Sequence, residues 1–246
     1  MRIVLFSVFG FNVYSHGVFL VLAMAVGGWL LYRLAQKEGL STKYFLSYYL
    51  ISLIAGVLAS RIIFYLINLK YYQSFYQIVE IWQGGLVSFA GFIAGTLTFL
   101  LLLRRQKVRI SPWLDLSGVV FPLAIAIGRI GCVLNGEFGI RTTSIFAVYG
   151  YMPVTVFEIY FCGAIFILNF YLYLNFRQRL PKYFLFFSFV ALYSFFRIFI
   201  DGWRIDPQLT IGINFSQLTS LSIFTISIII YGAYLYKGKR GQNEIG

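Results

Sequence analysis

Seven apolar runs occupy most of the chain, at about 17–34, 45–68, 84–103, 114–134, 154–176, 183–200 and 215–236. Each approaches the ~20 apolar residues that a helix needs to cross a bilayer. In lipid no water is present to satisfy a bare N–H or C=O, so an isolated spanning segment must be helical. The pattern predicts an all-α integral membrane protein with about seven transmembrane helices, residues 1–246 forming a single polytopic membrane domain. Charge supports this solvent: only 11% of residues are charged, against about 25% in soluble domains. The 27 Phe and 19 Tyr suit the aromatic belts at membrane interfaces. The third and fourth runs carry Gly84, Gly85, Gly91, Gly95, Gly128 and Gly131, which predicts close helix packing or broken helices there.

The net charge of +12 does not imply nucleic acid, because the basic residues cluster between apolar runs. Arg33, Lys37 and Lys43 lie in the first loop, and Arg104, Arg105, Lys107 and Arg109 in the third. Arg177, Arg179 and Lys182 lie in the fifth, and Lys237, Lys239 and Arg240 in the tail. Seven spans put all four clusters on one side, which the positive-inside rule makes cytoplasmic. The N-terminus is then outside and the C-terminus inside. Residues 1–14 lack a charged leader followed by a small-residue cleavage site, unlike a signal peptide. Cys132 and Cys162 form neither a disulfide framework nor a paired metal-ligand spacing, and no metal or cofactor is expected.

Arg61, Arg129 and Arg197 sit within or at the edges of apolar runs, where a guanidinium costs at least ~2.5 kcal/mol at a helix centre. All three fall toward the outer ends of their spans. Arg presents a planar fork that holds a phosphate bidentately, and phospholipid headgroups lie at this depth. A phosphate pocket open to lipid is one reading. The other is that each Arg snorkels, or pairs with Glu137, Glu158 or Asp201. The stretch 128–139 places Arg129, Cys132, Asn135 and Glu137 among Gly128, Gly131, Gly136 and Gly139. Irregular backbone at membrane depth belongs where it lines a cavity or is buried in protein.

This stretch resembles the G-R-x-G-[NC]-x-x-N-G-E signature of the bacterial prolipoprotein diacylglyceryl transferase family. Ala59-Ser-Arg61 through Tyr65 resembles the family's G-A-R-x-x-Y segment, and Trp82-Gln-Gly-Gly85 with Gly91 and Gly95 its glycine-rich segment. Pro153 with Phe157-Glu158, Tyr193 to Asp201 with Arg197, and Ser216-Gln217 resemble its later motifs. Ser15-His16-Gly17 stands where the family often has Tyr-Gly. These motifs are collinear and cover nearly the whole chain.

The resemblance implies a multi-pass protein of the bacterial cytoplasmic (inner) membrane. Its activity would be transfer of the diacylglyceryl group of phosphatidylglycerol to the lipobox cysteine thiol of a preprolipoprotein signal peptide, with release of glycerol phosphate. Arg129 and Arg197 would clamp the phosphate. Asn135, Glu137, Cys132, Gly139 and Gly85 would shape the substrate site, with Arg61 and Glu158 in support. The chain departs from the family at Phe89, where many members have His and others Tyr. Phe cannot take a proton, so His16, the single His, is the candidate to serve the thiol or touch the headgroup. Cys132 stands where many relatives have Asn, and Ala124 and Ile125 where a Gly-Gln pair is common. Alternatives are a non-catalytic phospholipid-binding protein on the same fold, and a small-anion transporter. The absence of an internal repeat disfavours the transporter.

Overall fold

Buried positions carry charge and exposed positions carry hydrocarbon, the reverse of a water-soluble protein. In a computed structural model describing residues 4–8, 11–71, 75–79, 85, 87–205 and 212–243, Arg61, Asp115, Glu158, Asn169 and Asp201 are buried. Val21, Ile54, Leu101, Ile167, Phe199 and Ile229 are exposed. A bilayer rewards that distribution, because the polar side chains find partners inside and the apolar ones meet acyl chains.

The described residues form seven helices: α1 (Ser15–Lys37), α2 (Phe45–Ile67), α3 (Ser88–Arg105), α4 (Ile110–Leu134), α5 (Val154–Phe176), α6 (Phe184–Asp201) and α7 (Phe215–Asn243). Six of them are long and apolar enough to cross a membrane. α3 is not among the six, so of the seven spans expected, six are matched by helices of spanning length and hydropathy among the described residues. Before α1, strands β1 (Val4–Val8) and β2 (Phe11–Tyr14) pair antiparallel, with Val4 opposite Tyr14 and Val8 opposite Phe11.

The chain packs as two compact units, Met1–Leu31 with Ser111–Gly246, and Tyr32–Ile110. In the second unit, α2 and α3 run antiparallel and meet through small residues. A Cβ on Gly56 would lie 2.8 Å from the Gly91 carbonyl oxygen, and one on Gly95 would lie 3.1 Å from that of Ser52. Backbones approach this closely only where side chains are absent. Arg61 is buried and ties down the chain between the two helices. Its Nε donates to the Ile78 carbonyl (2.9 Å) and its Nη1 to that of Gly85 (3.1 Å). Gly85 adopts φ +82°, and a Cβ there would collide with the Phe64 ring.

In the first unit, small residues seat α1 on α4: Gly27 lies against Ala124, Gly128 against Ala23, and Gly131 against His16 and Phe19. Buried polar side chains lock α4, α5 and α6. Asn169 donates from Nδ2 to the carbonyls of Gly118 (2.9 Å) and Leu185 (3.2 Å). It accepts the Ser188 hydroxyl at 2.9 Å. Asp115 accepts the Tyr183 and Leu185 N–H groups, each at 3.0 Å. This carboxylate from α4 thereby caps the start of α6, whose first N–H groups have no partner of their own and whose dipole favours negative charge. Arg177 at the end of α5 completes the contact, 3.1 Å from the same carboxylate.

Candidate functional site

The centre of the first unit is Glu158, 2% exposed, on the second turn of α5. Its Oε2 pairs with Arg129 Nε of α4 at 2.9 Å, and its Oε1 with Arg197 Nη1 of α6 at 3.0 Å. The Tyr193 hydroxyl also donates to Oε1, at 2.7 Å. One carboxylate thus holds two guanidiniums from different helices. Lone burial would make each of these charges expensive, and mutual pairing with further hydrogen bonds removes most of that cost.

Tyr193, Arg197 and Asp201 repeat every four residues and therefore share one face of α6. Arg197 reaches Asp201 twice, Nη2 to Oδ1 at 2.7 Å and Nε to Oδ2 at 3.1 Å. Asp201 in turn accepts the Ser220 hydroxyl of α7 at 3.0 Å, and its backbone carbonyl accepts Asn214 Nδ2 at 3.0 Å. Gln217 receives the Asn214 N–H (3.1 Å) and donates to the Ile198 carbonyl (3.1 Å). The start of α7 is thereby fastened to the end of α6.

Arg129 differs from Arg197. It is anchored through Nε, its side chain is 27% exposed, and its Nη1 lies 3.8 Å from Cys132 Sγ. Cys132 Sγ is 3.5 Å from His16 Nδ1. Ligand atoms of His16, Cys132 and Glu137 all lie within 4.8 Å of one another. Asn135 is held by α1, accepting the Ser15 hydroxyl at 2.9 Å. The Glu137 N–H donates to the Cys132 carbonyl at 3.1 Å, and its own carbonyl accepts the Thr155 hydroxyl. Gly139 is buried where a Cβ would strike the Trp203 carbonyl and Val154. Its N–H donates to the Met152 carbonyl at 2.8 Å, and the next N–H, of Ile140, to that of Trp203 at 2.9 Å.

Of the residues the sequence singles out, Arg129, Arg197, Glu158, Cys132, His16, Asn135, Glu137 and Gly139 all belong to this unit. Arg61 and Gly85 belong to the other, where they bond to each other. Phe89 is exposed on the first turn of α3. Trp82, Gln83 and Gly84 of the glycine-rich motif lie outside the described residues. The acid that pairs with Arg129 is Glu158 and not its near neighbour in sequence, Glu137. Sequence reasoning undervalued Tyr193, Asp201 and Ser220. The four-residue spacing on α6 was the available signal for the first two, and none marks Ser220.

The model of the family described as prolipoprotein diacylglyceryl transferase matches residues 3–233. Among curated relatives, the phosphatidylglycerol–prolipoprotein diacylglyceryl transferase 1 of Clostridium perfringens (strain 13 / Type A) is 28% identical, covering 100% of this chain and 99% of its own. The phosphatidylglycerol–prolipoprotein diacylglyceryl transferase of Clostridioides difficile (strain 630) is 28% identical, over 98% of each chain. That of Thermoanaerobacter sp. (strain X514) is 26% identical over 92% of this chain and 86% of the relative.

Proposed function

The chain belongs to the prolipoprotein diacylglyceryl transferase family, and from that premise we propose a division of labour for its arginine–carboxylate network. The protein is a transferase acting on phosphatidylglycerol and a prolipoprotein, as the names of its relatives indicate. The thiol of a lipobox cysteine attacks the glyceryl carbon that bears the phosphate. A C–S bond forms, the C–O bond breaks, and glycerol phosphate leaves with the bonding pair. The thiolate is the competent nucleophile, and the departing phosphate needs positive charge as its own charge grows.

The observation that carries this reading is the posture of Arg129. Glu158 fixes its Nε edge, while the Nη end sits beside Cys132 on a partly exposed side chain. That end can meet a phosphate without breaking the pair behind it. Arg197 backs the clamp through Glu158 and Asp201. His16 stands where the incoming thiol is handled. Asn135, Glu137, Cys132 and Gly139 shape the pocket wall, and Arg61 with Gly85 keeps the α2–α3 connection in place.

The membrane layout belongs to the same proposal. α3 crosses with the other six helices, residues 1–246 act as one membrane domain, the N-terminus is outside, and the home membrane is the bacterial cytoplasmic one. Two features support a crossing α3. Eighteen residues extend about 27 Å at 1.5 Å each, near the ~30 Å of a hydrocarbon core. Its far half also runs back along α2 until Phe99 meets Phe45, 6.0 Å between ring centres.

The test incubates purified protein with phosphatidylglycerol vesicles and a lipobox peptide, and reads the peptide by mass spectrometry. A diacylglyceryl adduct on the cysteine, lost in Arg129→Ala, is the expected result. Protein that binds phosphatidylglycerol yet leaves the peptide unmodified overturns the reading in favour of a lipid-binding relative.

A further inference from the structure

Among the described residues, the chain's single imidazole, a buried thiol and a carboxylate converge from three segments: the first turn of α1, the last turn of α4 and the loop after it. The Cys132 Sγ to His16 Nδ1 separation is 3.5 Å. Zinc binds thiolate sulfur at about 2.3 Å and imidazole nitrogen at about 2.0 Å, so the S···N edge of a tetrahedral site is about 3.5 Å. One sulfur, one nitrogen and one carboxylate oxygen form a borderline donor set that suits zinc better than magnesium or calcium. Three protein ligands leave the fourth position open, as in catalytic rather than structural sites.

The segments that bring these groups together are individually pinned. Gly131 allows α1 to lie against α4, since a Cβ there would be 3.0 Å from both His16 Cα and Phe19 Cβ. Ser15, next to His16, is bonded to Asn135. The Glu137 backbone is bonded at both ends, by its N–H to Cys132 and by its carbonyl to Thr155. Supports of this kind orient ligands and sharpen metal affinity. Charge also balances: a thiolate and a carboxylate match a dication. The nearby cation, Arg129, already has its charge met by Glu158. His16 and Glu137 are exposed while Cys132 is buried, so the cluster opens onto the protein surface.

We propose that His16, Cys132 and Glu137 form a zinc-binding site whose open position takes the thiol of the peptide substrate. The second half of this proposal rests on the transferase reading, and the first does not. A thiol coordinated to zinc gives up its proton to the medium, and the resulting thiolate is the nucleophile. The ion then does the work of a general base. The sulfur forms its bond to the glyceryl carbon, the carbon–oxygen bond breaks, glycerol phosphate carries away the pair, and the ion is neither oxidised nor reduced. Arg129, within 3.8 Å of Cys132 Sγ, sets the phosphate clamp beside the thiolate.

The experiment uses tag-free full-length protein in detergent, loaded from buffered Zn²⁺ and freed of excess ion. Metal content is read by mass spectrometry, with Co²⁺ as a second probe through its thiolate charge-transfer absorption. About one zinc per chain is expected, falling about tenfold in Cys132→Asn and in His16→Gln, both checked for unchanged thermal midpoint. Zinc well below one per chain, or binding unchanged in both variants, overturns the site. A cobalt complex of the wild type without a thiolate band does the same, even where a variant fails to fold. In the peptide assay, chelation should abolish the adduct and Zn²⁺, not Mg²⁺, should restore it. Full adduct formation by zinc-free protein overturns the role in thiol activation. No adduct from zinc-loaded protein is instead a failure of the transferase reading, and the zinc stoichiometry still decides the site.

Discussion

Glu158→Gln keeps the size of the side chain and removes its charge, which makes it a direct probe of the network. Glu158 takes three contacts: Arg129 on Oε2, and Arg197 and Tyr193 on Oε1. Glutamine has one oxygen. Placed at the Oε1 position, it keeps Tyr193 and a neutral bond to Arg197, and turns its NH₂ donor toward the Nε donor of Arg129. Removing one partner of a buried ion pair costs about 3–5 kcal/mol. The lower end applies here, because Arg129 is 27% exposed and regains some water, while Arg197 keeps Asp201. About 3 kcal/mol corresponds to a fall of about 6–12 °C in Tm for a chain of this size. Tyr193→Phe removes a single hydrogen bond to a charged acceptor, at about 2 kcal/mol. In the double variant that hydroxyl would have met only a neutral oxygen, so the two effects should fall short of additivity by about 1 kcal/mol. Intrinsic fluorescence of detergent-purified protein on heating measures all four. If Glu158→Gln moved Tm by less than about 2 °C, the carboxylate would not be the anchor of both guanidiniums and the reasoning would fail.

Arg129→Lys should leave Tm near wild type, because an ammonium can still face Glu158. The rate of peptide modification should nevertheless drop by about 10²–10³, since a point charge cannot hold Glu158 and a phosphate at once. Gly56→Ala puts a methyl 2.8 Å from the Gly91 carbonyl oxygen; a loss of about 1–3 kcal/mol should show as faster proteolysis between α2 and α3. Gly85→Ala forces a side chain into a left-handed conformation and against Phe64. It should lower Tm by several degrees, about 1–2 kcal/mol for the backbone alone, whereas Phe89→Ala, at an exposed position, should not.

The helices were legible because hydropathy over ~20 residues is a coarse, redundant signal. The runs at 45–68, 154–176 and 183–200 fall within a residue or so of α2, α5 and α6. Two starts differ. α3 begins at Ser88 and not 84, since Gly85 is left-handed and Val87 extended. An apolar run does not reveal that conformation. α4 begins at Ile110, four residues ahead of its apolar run, because Pro112 and Trp113 fit a first helical turn, where Pro loses no hydrogen bond. The site was half legible. Arg129 and Arg197 were conspicuous as charges inside apolar runs, but their shared partner was not. Glu137, Glu158 and Asp201 were all candidates, Glu137 being the nearest to Arg129 in sequence, and the choice of Glu158 depends on how α4, α5 and α6 are rotated about their axes. That rotation is set by contacts such as Asn169 with Gly118 and Leu185, which join residues far apart in sequence. The approach of His16 to Cys132 spans 116 positions and had no sequence signal beyond two unusual residue types.

The two arginines are not equivalent, and the difference bears on catalysis. Arg197 spends both edges of its fork, on Asp201 and on Glu158. A phosphate could engage it only by displacing a bidentate, largely buried pair, so in the proposed division of labour its part is to hold Glu158 in place. Arg129 gives Glu158 one edge and keeps the Nη end beside Cys132. The two guanidiniums and two carboxylates sum to zero, so the resting site is no deep well for anions. A phosphodiester with a single negative charge gains little there. The leaving glycerol phosphate develops a second charge as its bond to carbon breaks, and Arg129 is already oriented to meet it. An interaction that strengthens only as that charge appears lowers the barrier without tightening the ground state. A neutral network with one half-committed guanidinium is therefore better suited to this transfer than a cluster of unpaired positive charges, which would hold substrate and product alike.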